Sequence, residues 1–296
     1  MNILVIGFKR FPYYWESRIA ELLSKKYNIT FISRYNPSFP DKNFDIIIHL
    51  QNLGLDTAVE AKKRYRCPLI VEWSGVLLEE ELKQYTKIVD VAITWTKWGA
   101  KRLKDYYGLE TKIIPLGADK DLIVDNKEKR KDFTFIGSNW KHKRIPMVVE
   151  ACKRANVNLK IISGNSFNFD IEIGACERTN LKTHFKVYEN TIGREKYKIL
   201  ASSKALLHAS IQEGFNIPIT EALSVGTPVI TYNLPIYKEL YNDVIGKYVF
   251  LWNTMDEFIE LIKSVDEKEI YIDKDYILKK KYTIQDHVKR LEEMIS

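Results

Sequence analysis

Short apolar runs alternate with helix-length amphipathic stretches along this chain, and the alternation occurs twice. Strand-like runs lie at 2–7, 29–33, 45–51, 68–72, 89–94 and 112–115, with helical spacing at 14–26, 56–65, 79–86 and 97–107. A charged stretch over 119–132 reads as a linker. The pattern then restarts, with strands at 133–137, 159–163, 184–187, 205–209, 229–231 and 248–250 and helices at 145–155, 195–203 and 255–264. Strands that alternate with helices pair in parallel, because a parallel neighbour can only be reached by a crossover. The 296 residues leave room for two such sheets. The segment 164–181 has no clear period. The last residues, 283–295, place Val288, Leu291 and Ile295 on one side of a helix.

The stretch 210–231, S-I-Q-E-G-F-N-I-P-I-T-E-A-L-S-V-G-T-P-V-I-T, reads as loop, short helix and next strand. Gly214 permits a sharp turn. Pro218 suits the first helical position, where a missing N–H costs nothing. Gly226 and Pro228 stop the helix. Glu213 precedes the helix and Glu221 lies about one turn inside it. Both can face whatever occupies the helix N-terminus, an anion site by virtue of its free amides and dipole. Carboxylates beside such a site accept hydrogen bonds from sugar or ribose hydroxyls. A solvated helix start with dipole-favoured acids would show the same spacing.

These residues closely resemble the signature of retaining nucleotide-sugar glycosyltransferases of the GT-B fold, and most of all glycosyltransferase family four. Glu213, Gly214, Phe215, Pro218, Glu221, Ala222, Gly226, Pro228 and Val229 fall in register with it, and Asn216 replaces a common glycine. The resemblance is strongest from Phe133 to Phe250. It implies two Rossmann-like domains with mostly parallel sheets facing across a cleft. The expected division is an acceptor domain over 1–120, a nucleotide-sugar domain over 121–280, and a C-terminal helix over 281–296 that packs back on the first.

The resemblance also implies roles. Lys143 lies six residues after Gly137 and eight before Ala151, the spacing of the family's lysine, which would neutralise the leaving diphosphate. Ser138 stands where the family has arginine, so Lys141, Arg144 or Lys9 would supply the missing cation. Glu221 would accept from the ribose and Glu213 from the donor sugar. Gly214, Phe215, Asn216, Ile217, Ser138 and Gly164 complete the donor side, with the amides of 215–217 on the diphosphate. A cleft histidine at the third strand end carries over to His49, which shares a face with Gln51. Lys9 follows the first strand and could reach a phosphate or lie in a solvated loop; Phe11, Tyr13, Tyr14 and Trp15 beside it form an aromatic group that could stack on a sugar, enter a membrane interface or pack against the sheet. His208 reads as a core residue at a strand end.

Composition narrows what remains. The formal charge of +7 favours an anionic partner, whether a nucleotide diphosphate, an anionic membrane surface or nucleic acid, and does not choose among them; with the family resemblance, nucleic acid is not expected. Cys67, Cys152 and Cys176 make neither a metal spacing nor an even framework, which fits a reducing cytoplasm. The run after Met1 is too short for a signal peptide or a span. No P-loop or nucleophile elbow occurs, the stretch 210–231 holds no Asp-x-Asp or His/Asp cluster, and neither cofactor nor metal is expected. The expected function is metal-independent, retaining transfer of a sugar from a nucleotide-diphosphate sugar to a hydroxyl acceptor. The alternatives are a GT-B nucleotide-sugar epimerase or phosphorylase, or a non-catalytic sugar-nucleotide or nucleic-acid binding protein on the same fold.

Overall fold

A computed structural model describes residues 1–8, 14–76, 78–125, 130–138, 140–163, 185–270 and 272–296. The chain forms two compact units: 1–116 with 283–296, and 117–282.

The first unit is a six-stranded parallel sheet in the order β2-β1-β3-β4-β5-β6. Its strands are β1 (Asn2–Gly7), β2 (Asn28–Ser33), β3 (Ile46–His49), β4 (Leu69–Trp73), β5 (Val91–Thr94) and β6 (Lys112–Ile113). The crossover helices are α1 (Trp15–Leu23), α2 (Leu55–Tyr65) and α3 (Lys97–Tyr107). The inner strands β1, β3 and β4 are mostly apolar and buried because helices cover the sheet, whereas β2 is only partly buried and β6 is exposed. Leu4, Ile6, Ile47, Leu69 and Val71 pack with Ala58, Ala61 and Leu103 from the helices. Each such buried leucine, isoleucine or valine side chain contributes about 1.5–3 kcal/mol. The helix expected over 79–86 is a 3-10 helix, Glu80–Lys87, with none of its residues buried. Leu82 and Tyr85 stand three residues apart, a spacing that stacks side chains at the 3-10 period.

The second unit repeats the architecture with the order β12-β11-β10-β7-β8-β9. The strands are β7 (Phe133–Ile136), β8 (Leu159–Ser163), β9 (Phe185–Glu189), β10 (Leu206–His208), β11 (Val229–Tyr232) and β12 (Val249–Trp252). The helices are α4 (Ile145–Ala155), α5 (Gly193–Ala201), α6 (Ile217–Ser224), α7 (Pro235–Tyr241), α8 (Met255–Glu267) and α9 (Tyr276–Lys280). Phe133, Phe135, Ile161, Leu207, Ile230 and Trp252 form one core with α4 and α8. Thr254 starts α8 with a full capping box to Glu257. The short helices α7 and α9 were not expected from periodicity, since two turns or fewer carry too little of it. The start of the expected linker is not an open charged segment: Asp119 is buried and caps a 3-10 turn, Lys120–Leu122, whose Leu122 is also buried.

The final helix, α10 (Ile284–Ile295), begins at Thr283, whose hydroxyl accepts from the Asp286 amide. It belongs to the first unit, where it packs on α1. His287 on α10 donates from Nε2 to Glu72 Oε1 at 2.9 Å, and both side chains are fully buried. Glu72 Oε2 accepts from Trp95 Nε1 at 3.1 Å.

Candidate active site

In a doubly wound sheet, connections from two neighbouring strands leave toward opposite faces at one point, and the crevice at their C-terminal ends is where ligands sit. In the second unit that point lies between β7 and β10, which pair at Leu206 and Thr134. The residues singled out around Lys143 and Glu213 lie on the two loops that leave it.

The loop after β7 turns at Gly137, where an added Cβ would lie 2.7 Å from Phe135 Cζ. Ser138 follows and is exposed. A 3-10 turn, Lys141–Lys143, leads to Arg144, which sits at φ 51. The loop after β10 runs through Gly214 and Phe215 to Asn216 at φ 70, the residue before α6. Asparagine is among the few non-glycine residues that tolerate this left-handed backbone.

Bonds between described residues join the loops. The Ile211 amide donates to the His142 carbonyl at 3.0 Å. Arg144 Nε donates to the Ala209 carbonyl at 2.5 Å, and its guanidinium lies over the Tyr232 ring, 4.4 Å from the centroid. Lys143 Nζ lies 2.5 Å from Glu213 Oε1, with the side chains 18% and 10% exposed. His208 Nε2 is 3.3 Å from the same carboxylate oxygen. Burial alone would raise the Glu213 carboxyl, but the Lys143 ammonium and His208 draw it far below the usual carboxylate range. Glu213 is therefore a carboxylate, held beside a cation at the mouth of the switch point.

Glu221 sits one turn into α6, buried, with Oε1 accepting from Lys196 Nζ at 2.6 Å. Its Oε2 has no hydrogen-bond partner. Tyr197, also from α5, stands 3.5 Å from Oε1 and accepts from the Asp119 amide at 2.8 Å. Lys196 was not singled out in the sequence, where it is one lysine on a charged helix. Ile217 opens α6 with its amide free of intrahelical bonding, as at any helix start. Phe215 is a core residue, edge-on to Tyr282.

Among the cations weighed in place of the family's arginine, Lys141 is exposed and Arg144 is tied to Ala209 and Tyr232. Lys9 and Gly164 lie outside the described residues, as do Phe11, Tyr13, His184 and Cys176.

In the first unit, the switch point falls between β1 and β3, where Ile6 pairs with His49. His49 is fully buried, with Nδ1 2.6 Å from the Gln51 carbonyl and Nε2 3.3 Å from the Gly54 carbonyl. Burial and the nearby Arg34 push it down to about 3, so the ring is neutral at pH 7. Both ring nitrogens face main-chain oxygens and neither faces solvent. Beside it, Arg34 and Glu16 form a buried ion pair, and Glu16 also accepts from the Phe8 amide at 2.6 Å. Burial raises the Glu16 carboxyl to about 7 against the pull of Arg34. No sequence motif marked this pair.

Two doubly wound parallel sheets, with paired loops at the second switch point, define a protein of the GT-B glycosyltransferase fold. Residues 119–283, more than half of the chain, match the family described as glycosyl transferases group 1, and the chain belongs to that family. It is 28% identical over 169 residues to the O-antigen chain mannosyltransferase RfbU of Salmonella typhimurium, covering 55% of this chain and 47% of that protein. It is 24% identical over 232 residues to the O-antigen biosynthesis glycosyltransferase WclY of Escherichia coli, covering 69% and 65%. The chain thus spans about half to two thirds of the length of these relatives. Among solved structures it resembles Anabaena Alr3699/HepE in complex with UDP and glucose, with a TM-score of 0.68 at 14% identity, over 99% of this chain and 95% of that one. At that identity the likeness concerns the fold.

Proposed function

We propose that this chain is a metal-independent, retaining glycosyltransferase of the family-four type, moving a sugar from a nucleotide-diphosphate sugar to a hydroxyl of a glycan acceptor. One observation carries the reading: an ammonium and a carboxylate, Lys143 and Glu213, meet at the switch point of the second sheet. The names of the relatives support the acceptor class, and the UDP complex of Alr3699/HepE supports the donor class.

The chemistry follows from the residues. Lys143 turns from Glu213 to the diphosphate and neutralises charge as the glycosidic bond breaks. The amides at the start of α6 add donors. Glu213 accepts from donor-sugar hydroxyls and stabilises positive charge at the anomeric carbon. The free Oε2 of Glu221 accepts from the ribose. The acceptor hydroxyl attacks on the face the phosphate leaves, and that phosphate takes the proton, so no protein nucleophile is required. Basic side chains of the first unit meet an anionic membrane surface.

The test is a transfer assay with a panel of nucleotide-sugars and a glycan acceptor, with product anomers read by NMR. Retention at the anomeric carbon is expected. Inversion would refute the retaining assignment, turnover without an acceptor would favour an epimerase, and binding without turnover would favour a non-catalytic role.

A further inference from the structure

The two loops at the second switch point carry an apolar surface that the proposed chemistry does not use. Among the described residues, seven large hydrophobic side chains are exposed, and two of them, Trp140 at 61% and Ile211 at 49%, lie on these loops. Exposed hydrophobic side chains scattered singly are ordinary. These two instead flank one residue, His142. The Trp140 and His142 ring centroids are 6.0 Å apart, and the Ile211 amide donates to the His142 carbonyl at 3.0 Å.

The backbone fixes this surface beside the ion pair. The Trp140 carbonyl accepts from the Lys143 amide at 2.8 Å, which closes the turn that carries the ammonium. Ile211 stands two residues before Glu213 on the other loop. Glu213 and His208 both act electrostatically on the His142 ring, so that ring lies on the carboxylate side of the turn. Burial and Lys143 hold His142 below its ordinary value, and the ring is neutral near pH 7. Trp140 therefore packs on an uncharged ring that faces Glu213.

Size and position select the occupant. Two exposed side chains around one ring cover far less than the about 800 Å² that each partner gives to a protein interface. They suit one face of a six-membered sugar ring. A pyranose presents C–H groups on its flat face and hydroxyls at its edge. The first suits the indole face, and the indole N–H can donate to the second. The proposed reaction brings three ring systems to this crevice. The ribose and its base belong to Glu221, inside α6. The donor sugar belongs to Glu213, which accepts from its hydroxyls. The acceptor sugar must bring a hydroxyl to the anomeric carbon beside Glu213, and the proposed chemistry leaves that sugar without a protein contact.

We propose that Trp140 and Ile211 form an acceptor subsite, in which the terminal pyranose ring of a glycan stacks on the Trp140 indole and abuts Ile211 beside the Lys143–Glu213 pair. The inference rests on the proposed transfer reaction. The subsite orients the ring that carries the attacking hydroxyl and takes no part in bond cleavage.

The first test needs no turnover. The indole N–H signal of Trp140, assigned with Trp140→Phe, is followed by NMR in the full chain as the methyl pyranosides of mannose, glucose and galactose are added in turn. Sorbitol, which has the hydroxyls without the ring, and uridine are the controls. At least one pyranoside should shift the signal saturably, and sorbitol should not. No shift with any of the three, or an equal response to sorbitol, overturns the subsite. A shift with uridine that no pyranoside produces makes Trp140 a base platform and overturns it too. So does a native chain that sediments as a dimer and becomes a monomer in Trp140→Ala, since the surface would then join two copies.

The second test uses the donor and acceptor found in the transfer assay. Trp140→Ala should raise the acceptor KM about tenfold while the donor KM stays within about twofold. Trp140→Phe keeps an aromatic face and should recover part of the loss, and Ile211→Ser should also raise the acceptor KM. A turn merely loosened at Trp140 would raise the donor KM as well, through Lys143. An unchanged acceptor KM in Trp140→Ala, or a rise in the donor KM alone, overturns the subsite and leaves the proposed function standing. Saturable pyranoside shifts without transfer from any nucleotide-sugar support the sugar subsite and overturn the proposed function instead.

Discussion

Lys143 Nζ and Glu213 Oε1 lie 2.5 Å apart across a separation of 70 residues, and the contact joins the two loops at the second switch point. In the free protein each is the other's principal charge partner. On the proposed reading, donor binding exchanges one ammonium–carboxylate contact for an ammonium–phosphate contact.

Lys143→Ala is expected to lower the turnover number about 10²-fold, the loss typical when one preorganised charge donor is removed. Lys141→Ala, at an exposed position, should stay within about twofold. Steady-state kinetics with the best nucleotide-sugar check both. A larger effect at Lys141 would move the phosphate contact to that residue.

The two glutamates should fail differently. Glu221→Gln should mainly raise the donor KM, because the ribose changes little during bond cleavage. Glu213→Gln should mainly lower kcat, because its charge matters most where the anomeric carbon becomes positive. Lys196→Ala should follow Glu221→Gln, since Lys196 Nζ holds Glu221 Oε1 at 2.6 Å. Equal KM effects with kcat untouched in all three would sink this division.

Transfer should persist in EDTA. The chain's two Asp-x-Asp runs are turns in which the first carboxylate accepts from an amide two residues on: Asp119 from Asp121 at 3.1 Å and Asp273 from Asp275 at 3.0 Å. Complete loss of transfer in chelator, restored by magnesium or manganese, would contradict metal independence.

Two buried groups of the first unit should offset each other with pH. His49, held down at about 3, is neutral when folded and charged when unfolded, so its stabilisation is lost as pH falls from 6.5 toward 3. Glu16, raised to about 7, keeps a proton that the unfolded chain releases above 4.5, so its stabilisation is lost as pH rises from 4.5 to 7. Glu16→Gln should uncover the histidine, and the first sheet should lose about 1 kcal/mol per pH unit below 6.5. Amide exchange of β1 and β3, corrected for intrinsic rates, reads this. A pH slope identical to that of the native chain would disprove it.

His287→Leu should loosen α10, because it leaves the Glu72 carboxylate fully buried with Trp95 as its remaining donor in the group described. Removing one partner of a buried pair costs about 3–5 kcal/mol. Replacing both residues by leucine should recover part of that loss. Exchange protection of α10 in the single and double variants separates a paired role from simple packing.

Local rules settled much of this protein in advance. Apolar runs of strand length separated by amphipathic helices leave a parallel sheet as the packed solution, and the alternation predicted most of the strands and the longer helices. Lys143, Glu213 and Glu221 could be singled out in the sequence only because the residues around them resemble a family signature; spacing alone left a solvated helix start equally open. The contacts among them were not legible. Which strands become neighbours depends on how the crossover helices pack, and β7 meets β10 only after two intervening units are placed. That adjacency seats Lys143 on Glu213, turns His208 from a strand-end core residue into a partner of the carboxylate, and gives the Asn216 amide its place beside Tyr237. The same adjacency on α5 and α6 brings Lys196 to Glu221. Spacing along a chain fixes which face a side chain occupies, but only packing across the sheet decides what that face meets.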